Sequence, residues 1–218
     1  MSKASKLARA QKNVPAVSQK ILAKANRWYN NSTTTTNTST PVEGSAGSDD
    51  AFWLLEEATD SPSSGAPGTG TKMLIDDLSL SYLTSHVKLS VNANMDTTNA
   101  NVNSILKLQR SSDNGNTWLD IGVADAVSGK SRIRATSQIE HGGGDRNMGS
   151  GGFCFTDTSP GSLTPQYRVL VSIYVNLYSY LNRDSALDAS GSGIGNNASN
   201  TTLARTISTF TAEEIINY

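Results

Sequence analysis

The sequence predicts an all-β fold, a sandwich of two sheets, and three observations carry that expectation. The 218 residues are 36% hydrophobic and rich in Ser, Thr, Asn and Gly, which suits strands and long turns and disfavours a helical bundle. Apolar and polar residues alternate at period two in several separate stretches. Turn signals divide those stretches at regular intervals, as in a sandwich or barrel. Eight or nine strands are expected, and a jelly roll of two four-stranded sheets fits that count.

The first element is a basic arm, residues 1–29. It carries Lys3, Lys6, Arg9, Lys12, Lys20, Lys24 and Arg27 with no acidic residue. The chain's net charge of -1 hides this: the other 11 basic residues stand against all 19 acidic ones, a net of -8. A cationic tail on an anionic body points to a partner that the tail meets. From Asn13 the spacing predicts a short amphipathic helix. Pro15 suits its first turn, with Val17, Ile21, Ala25 and Trp28 on one face and Lys20, Lys24 and Arg27 on the other. Such a helix is marginal alone and is expected to order against a partner or against its own body.

Residues 30–50 form a Ser/Thr/Asn-rich tract with little to bury, read as an extended linker. The sandwich is expected over residues 51–218, opening with the strand Ala51-Phe52-Trp53-Leu54-Leu55. After the flexible loop Ser61 to Thr71 comes a strand region from Lys72 to Leu83. His86 to Asn94 alternates Val87, Leu89 and Val91 against Lys88, Ser90 and Asn92. Asn103 to Arg110 leads into Asp113-Asn114-Gly115-Asn116, a hairpin signal because both central residues need positive φ. Strands follow at Thr117 to Val123 and Ser131 to Glu140, then a glycine-rich loop over 142–152 and a short strand from Phe153 to Thr156.

Gln166 to Leu181 reads as one long, bent strand. Tyr167, Val169, Val171, Ile173, Val175 and Leu177 make its core face. The opposite face is aromatic, and its Tyr174, Tyr178 and Tyr180 suit a subunit interface, where an apolar ring and a partnered hydroxyl are both used. The alternative is cover by the N-terminal segments. After a Gly/Ser/Asn loop over 188–202, Leu203 to Ile216 supplies the last strand.

Candidates for chemistry are thin. His86 reads as a surface residue at a strand start. His141, in Glu140-His141-Gly142-Gly143-Gly144-Asp145, lacks the spacing of a metal site. Cys154 reads as a buried structural cysteine, and a single cysteine offers no internal disulfide. Gly191-Ser192-Gly193-Ile194-Gly195 is followed by neither Lys-Ser/Thr nor a helix, which argues against a phosphate loop. The pairs Glu56-Glu57, Asp76-Asp77 and Glu213-Glu214 put adjacent carboxylates on opposite faces of a strand. No metal, cofactor or enzymatic activity is expected. No apolar run approaches the roughly 20 residues of a membrane span, and the first residues lack the apolar core of a secretory signal. The arm's seven cations, with Trp28 and Tyr29, suit an acidic protein groove or, alternatively, nucleic-acid phosphates and bases.

Leu106-Lys107-Leu108-Gln109-Arg110-Ser111-Ser112-Asp113-Asn114-Gly115-Asn116-Thr117-Trp118 resembles the "LQRS-D-G-TW" hairpin of tailed-phage virion proteins with a TNF-like jelly roll. Phe153 to Asp157, Gln166 to Tyr180 and Thr206 to Ile215 resemble that family's later strands in the same order. The resemblance covers about residues 72–216. It implies a homotrimeric virion protein of the capsid decoration, fibre or knob kind. Residues 1–48 lie outside it, and the expected reading is a capsid decoration or cement protein whose added arm grips the major capsid protein at the capsid surface of a virion assembled in the host cytoplasm. The alternatives are a shell-forming protein whose arm binds nucleic acid, and a receptor- or glycan-binding fibre or knob.

Overall fold

The computed structural model describes residues 15–23, 28–30, 40–48, 50–57, 70–97, 103–123, 135–140, 148–173, 178–182 and 206–216. These residues form two six-stranded sheets. The first holds β1 (Val17–Leu22), β2 (Trp28–Asn30), β5 (His86–Thr97), β9 (Gly149–Asp157), β11 (Tyr178–Leu181) and β12 (Ser208–Ile215). The second holds β3 (Trp53–Leu54), β4 (Leu74–Ile75), β6 (Ser104–Ser111), β7 (Leu119–Ile121), β8 (Ser137–Ile139) and β10 (Gln166–Ser172). Every strand pairing is antiparallel. The all-β expectation holds, and the core lies between the sheets. Val87, Leu89, Val91, Ala93 and Met95 of β5 belong to one buried cluster with Leu106, Leu108, Tyr167, Val169 and Val171 of the second sheet.

Several short strands lie end to end along one line. β9 occupies one edge of β5, and β12 and β11 share the other, with Thr209 opposite Asn92 and Leu181 opposite Met95. β1 and β2 run alongside them in the same way. In the second sheet β3 and β4 share an edge of β10, and β7 and β8 share an edge of β6. In each case two consecutive strands of the chain share one neighbouring line.

The junction between β11 and β12 is stitched by buried polar groups. The Asn182 backbone N–H donates to the Asn94 carbonyl at 2.8 Å, and Asn182 Nδ2 to the Leu22 carbonyl at 2.7 Å. Ser208 Oγ donates to Asn182 Oδ1 at 2.6 Å and accepts the Asn94 N–H at 3.0 Å. Asn182 sits at φ 57°, a region that Asn tolerates better than most residues. Each group removed from water thus has a partner, which is the condition for burying it.

The sandwich closes differently along its two sides. On one side β8 meets β9, where Gly149 and Gly151 face inward. A Cβ on Gly151 would lie 2.8 Å from Ile139 Cγ1 and 3.0 Å from the Gln138 carbonyl oxygen. Gly151→Val is therefore expected to overpack this seam and to cost about 1–3 kcal/mol, read as a lowered urea midpoint. An unchanged midpoint would show that the seam yields. On the other side β1 faces residues 76–77 and Glu57 through polar side chains.

Several sequence expectations are corrected. Val17–Leu22 is a strand, not a helix. Val17 and Ile21 are four residues apart, which places them on one face in either conformation, and β-branching favours the strand. The ladder to β12 then satisfies backbone groups that a short isolated helix holds poorly. The stretch from Gln166 to Leu181 is two strands in different sheets, β10 and β11, so the chain crosses the sandwich between them. Gly149–Gly152, expected in a loop, begin β9. The end of the expected linker is folded, since Val42 and Glu43 N–H groups donate to the Phe52 carbonyl, and the Phe52 N–H to the Glu43 carbonyl.

The β6–β7 hairpin has Asn114 at φ 60° and Gly115 at φ 83° as expected, but its loop is longer than two residues because Arg110 pairs with Leu119. Asp113 organises that loop, accepting from Thr117 Oγ1 at 2.6 Å, Thr117 N–H at 2.9 Å and Ser111 Oγ at 2.7 Å. The Thr117 bonds, with Ser111 behind them, hold its carboxyl down at about 2.

Candidate docking surface

Of the predicted anchoring residues, Lys3, Lys6, Arg9, Lys12, Lys24 and Arg27 lie outside the described residues, as do Tyr174 and the side chains of Trp28 and Tyr178. Lys20 sits in β1, with Nζ 3.4 Å from both Asp76 Oδ1 and Asp77 Oδ2. The two adjacent acids thus share one cation instead of facing opposite ways, because they follow β4 outside any ladder. Tyr29 is fully buried, and its hydroxyl donates to the Leu54 and Glu56 carbonyls, both at 3.2 Å, and accepts the Glu56 N–H at 2.8 Å. It ties β2 to the opposite sheet and cannot reach a partner from there. Tyr180 is 8% exposed and pairs with Trp28 in register, so β2 of its own chain lies beside it.

The arm therefore has a fixed root. Glu214 is a core-facing carboxylate of β12, 2% exposed, and it gathers four donors. These are the Ala16 N–H at 3.0 Å, the Ser81 N–H at 2.6 Å, Ser81 Oγ at 3.0 Å and Ser85 Oγ at 2.6 Å. Burial pushes its pKa up, but the bonds from Ser85, Ala16 and Ser81 outweigh burial and bring it below its ordinary 4.5. Ser18 Oγ donates to Asp77. That bond is the main cause that draws the Asp77 pKa below 3.8, against burial and with help from Lys20. Glu57 accepts the Ala23 N–H at 2.5 Å and the Thr71 N–H at 3.2 Å. Residues 16–23 are thus held by carboxylates at both ends and in the middle, just downstream of the segment bearing Lys3, Lys6, Arg9 and Lys12. Sequence reasoning singled out these acidic pairs but had no way to see that they converge on the N-terminal strand.

The outward face of the first sheet is polar, mixing Ser and Thr with Gln19 and the pair Glu213 and Lys88, and has exposed apolar residues at its β1 edge. Register places Gln19, Thr211, Ser90 and Cys154 in one row, and Val17, Glu213, Lys88 and Thr156 in the next. Val17, Ile21 and Ile207 are exposed. Cys154 is exposed as well, which corrects the expectation of a buried thiol. It does point away from Phe153 and Phe155, and it is those rings that pack on the core.

The outward face of the second sheet is covered by its own chain. Lys107, 3% exposed, lies 3.9 Å from the centre of the Phe52 ring and 2.7 Å from Glu43 Oε1. Gln109 Nε2 bridges Glu43 and Asp120 at 3.0 and 2.7 Å, and Arg168 stacks over Trp118 at 4.1 Å.

His86 opens β5 and is half-buried, while His141 lies outside the described residues. Among the described residues no group of three or more His, Cys, Asp or Glu is placed to hold a metal ion, and no helix is long and apolar enough to cross a membrane. No protein-family model and no curated protein matches the chain.

Proposed function

We propose that the chain is a non-enzymatic virion structural protein, a homotrimeric jelly-roll decoration or cement protein whose basic N-terminal segment attaches it to the major capsid protein on the capsid surface. The observation that carries this reading is the fixed root at Ala16. A cationic segment that emerges from a strand clamped into the sandwich transmits force to the whole domain, which a loosely hung tail does not. The strand order supports the jelly roll. Joining the collinear strands leaves eight lines, and in chain order these run 1-8-3-6 in one sheet and 2-7-4-5 in the other. Two four-stranded sheets of paired Greek keys have that order. Three arms on one trimer would add avidity without any single tight contact.

The test is removal of residues 1–14 alone, which leaves the strand at Val17 in place. The expected result is an unchanged melting temperature and loss of co-sedimentation with capsid shells, by about 100-fold in apparent affinity if multivalency is lost with the arms. Full retention of binding would overturn the anchor. Nucleic-acid binding that falls steeply with salt, at roughly one counterion per neutralised phosphate, would instead assign the arm to a packaged genome.

A further inference from the structure

We propose that β1 is an acid-releasable strand: protonation of the carboxylates that hold residues 16–23 frees this segment from the sandwich while the remaining strands, including β2, stay folded. Geometry carries the argument. Besides its ladder to β12, β1 and its flanks make their polar bonds to the rest of the chain chiefly through acids. Ala16 N–H goes to Glu214, Ser18 Oγ to Asp77, Lys20 Nζ to Asp76 and Asp77, and Ala23 N–H to Glu57. Two side-chain bonds do not involve acids: Gln19 Nε2 to Thr211 Oγ1 at 3.2 Å, which is exposed, and Asn182 Nδ2 to the Leu22 carbonyl at 2.7 Å, which is buried. The one large side chain that β1 buries in the core is Leu22, whereas β2 is pinned separately by Tyr29.

Glu214 is the group whose protonation matters most. As a carboxylate it accepts from four donors at once. A protonated acid brings its own hydrogen into that ring of donors and has to displace one of them. The charged groups around the seam set the direction. Asp77 faces Ser18 and Lys20, Asp76 shares Lys20, and Glu57 faces the Ala23 and Thr71 amides. Glu213 lies across from Lys88 and Val17 on the outward face, and His86 across from Ile215.

The sign follows from the lowered values of Glu214 and Asp77. Their contribution is complete above their ordinary pKa values of 4.5 and 3.8 and is lost as pH falls through the lower folded-state values. Each unit of separation is a factor of ten in the holding equilibrium. The freed segment, which carries Lys20, joins the arm as a longer cationic tether.

The inference does not rest on the virion reading, and its test needs no capsid. Hydrogen-exchange protection factors would be measured on the full chain at about pH 6 and about pH 3.5, with Glu214→Gln and, as a control, Glu213→Gln. The expected result is a drop of about tenfold or more in the protection of β1 amides at the lower pH, with β5 and β9 unchanged. Glu214→Gln should show the same selective loss already at pH 6, and Glu213→Gln should not. Loss of protection in β1 and β5 together, or in neither, overturns the proposal. If Glu214→Gln does not fold, the wild-type pair of measurements decides alone.

Discussion

Removal of residues 1–30 will unfold the domain, whereas removal of residues 1–14 will leave its thermal transition intact. The longer deletion takes away β1 and β2, and with them Leu22 and Tyr29, both fully buried. It also strips the outer neighbours of β12 and β11. Tyr29 alone carries much of the effect. Truncating a large buried aromatic costs about 3–5 kcal/mol, and a domain of this size has about 5–15 kcal/mol in total. Tyr29→Ala is therefore expected to lower the urea midpoint severely while leaving residues 1–23 in the chain. A deletion of 1–30 that melted cooperatively at the wild-type temperature would show that β2 is dispensable and that the arm does extend to residue 29.

The second large effect is at Asp157. This carboxylate ends β9 and faces the interior, where it joins the two sheets at one end. Arg110 Nη1 of β6 lies 3.0 and 3.1 Å from its two oxygens, and the Tyr167 hydroxyl of β10 donates to Oδ2 at 3.0 Å. Arg110 also donates to the Ser159 carbonyl. Burial, with the Asp157 charge adding to it, pushes the Tyr167 hydroxyl far above its ordinary range, so it stays a donor at any working pH. Asp157→Ala leaves a poorly solvated guanidinium and a buried hydroxyl together. Breaking such a pair from one side costs about 3–5 kcal/mol. The informative comparison is the double variant Arg110→Met, Asp157→Ala. It is expected to be more stable than Asp157→Ala alone, because the stranded charge has gone. A double variant no better than the single one would mean that Asp157 acts through Tyr167 and the Ser159 turn rather than through Arg110.

The strands of the body were legible because period two is unambiguous where it is long. Val87, Leu89 and Val91 face the core as the alternation requires, and the pattern simply continues to Met95. The N-terminal strand was not legible. Residues 17 and 21 satisfy both periods, and what decides between them is β12, nearly two hundred residues away. The same distance hid the root of the arm, since Glu214 and Ala16 are 198 positions apart. Long-range pairing also split the stretch from Gln166 to Leu181. Leu181 keeps the parity of Tyr167, Val169, Val171 and Ile173, so the alternation alone could not show that the stretch ends in a different sheet. Glycine misled in the other direction. Gly149 and Gly151 looked like loop residues because they have no side chain, yet that lack is what lets β8 close on β9.

The splice at Asn182 and Ser208 has a consequence for how such a chain can vary. β11 ends at Leu181 and β12 begins at Ser208, and the break between them is sealed by hydrogen bonds among Leu22, Asn94, Asn182, Thr206, Ile207 and Ser208. Among the described residues the connection takes part only at its downstream end, where the Thr206 N–H donates to the Asn182 carbonyl at 3.2 Å and Asn94 Nδ2 to the Ile207 carbonyl at 2.6 Å. The cost of closing a loop grows only with the logarithm of its length, about 0.6 kcal/mol per doubling. The length of the connection upstream of Thr206 can therefore change at little cost to the frame that Asn94, Asn182 and Ser208 hold. The paired strands are thus a frame whose connections can change in length without the ladders being rebuilt.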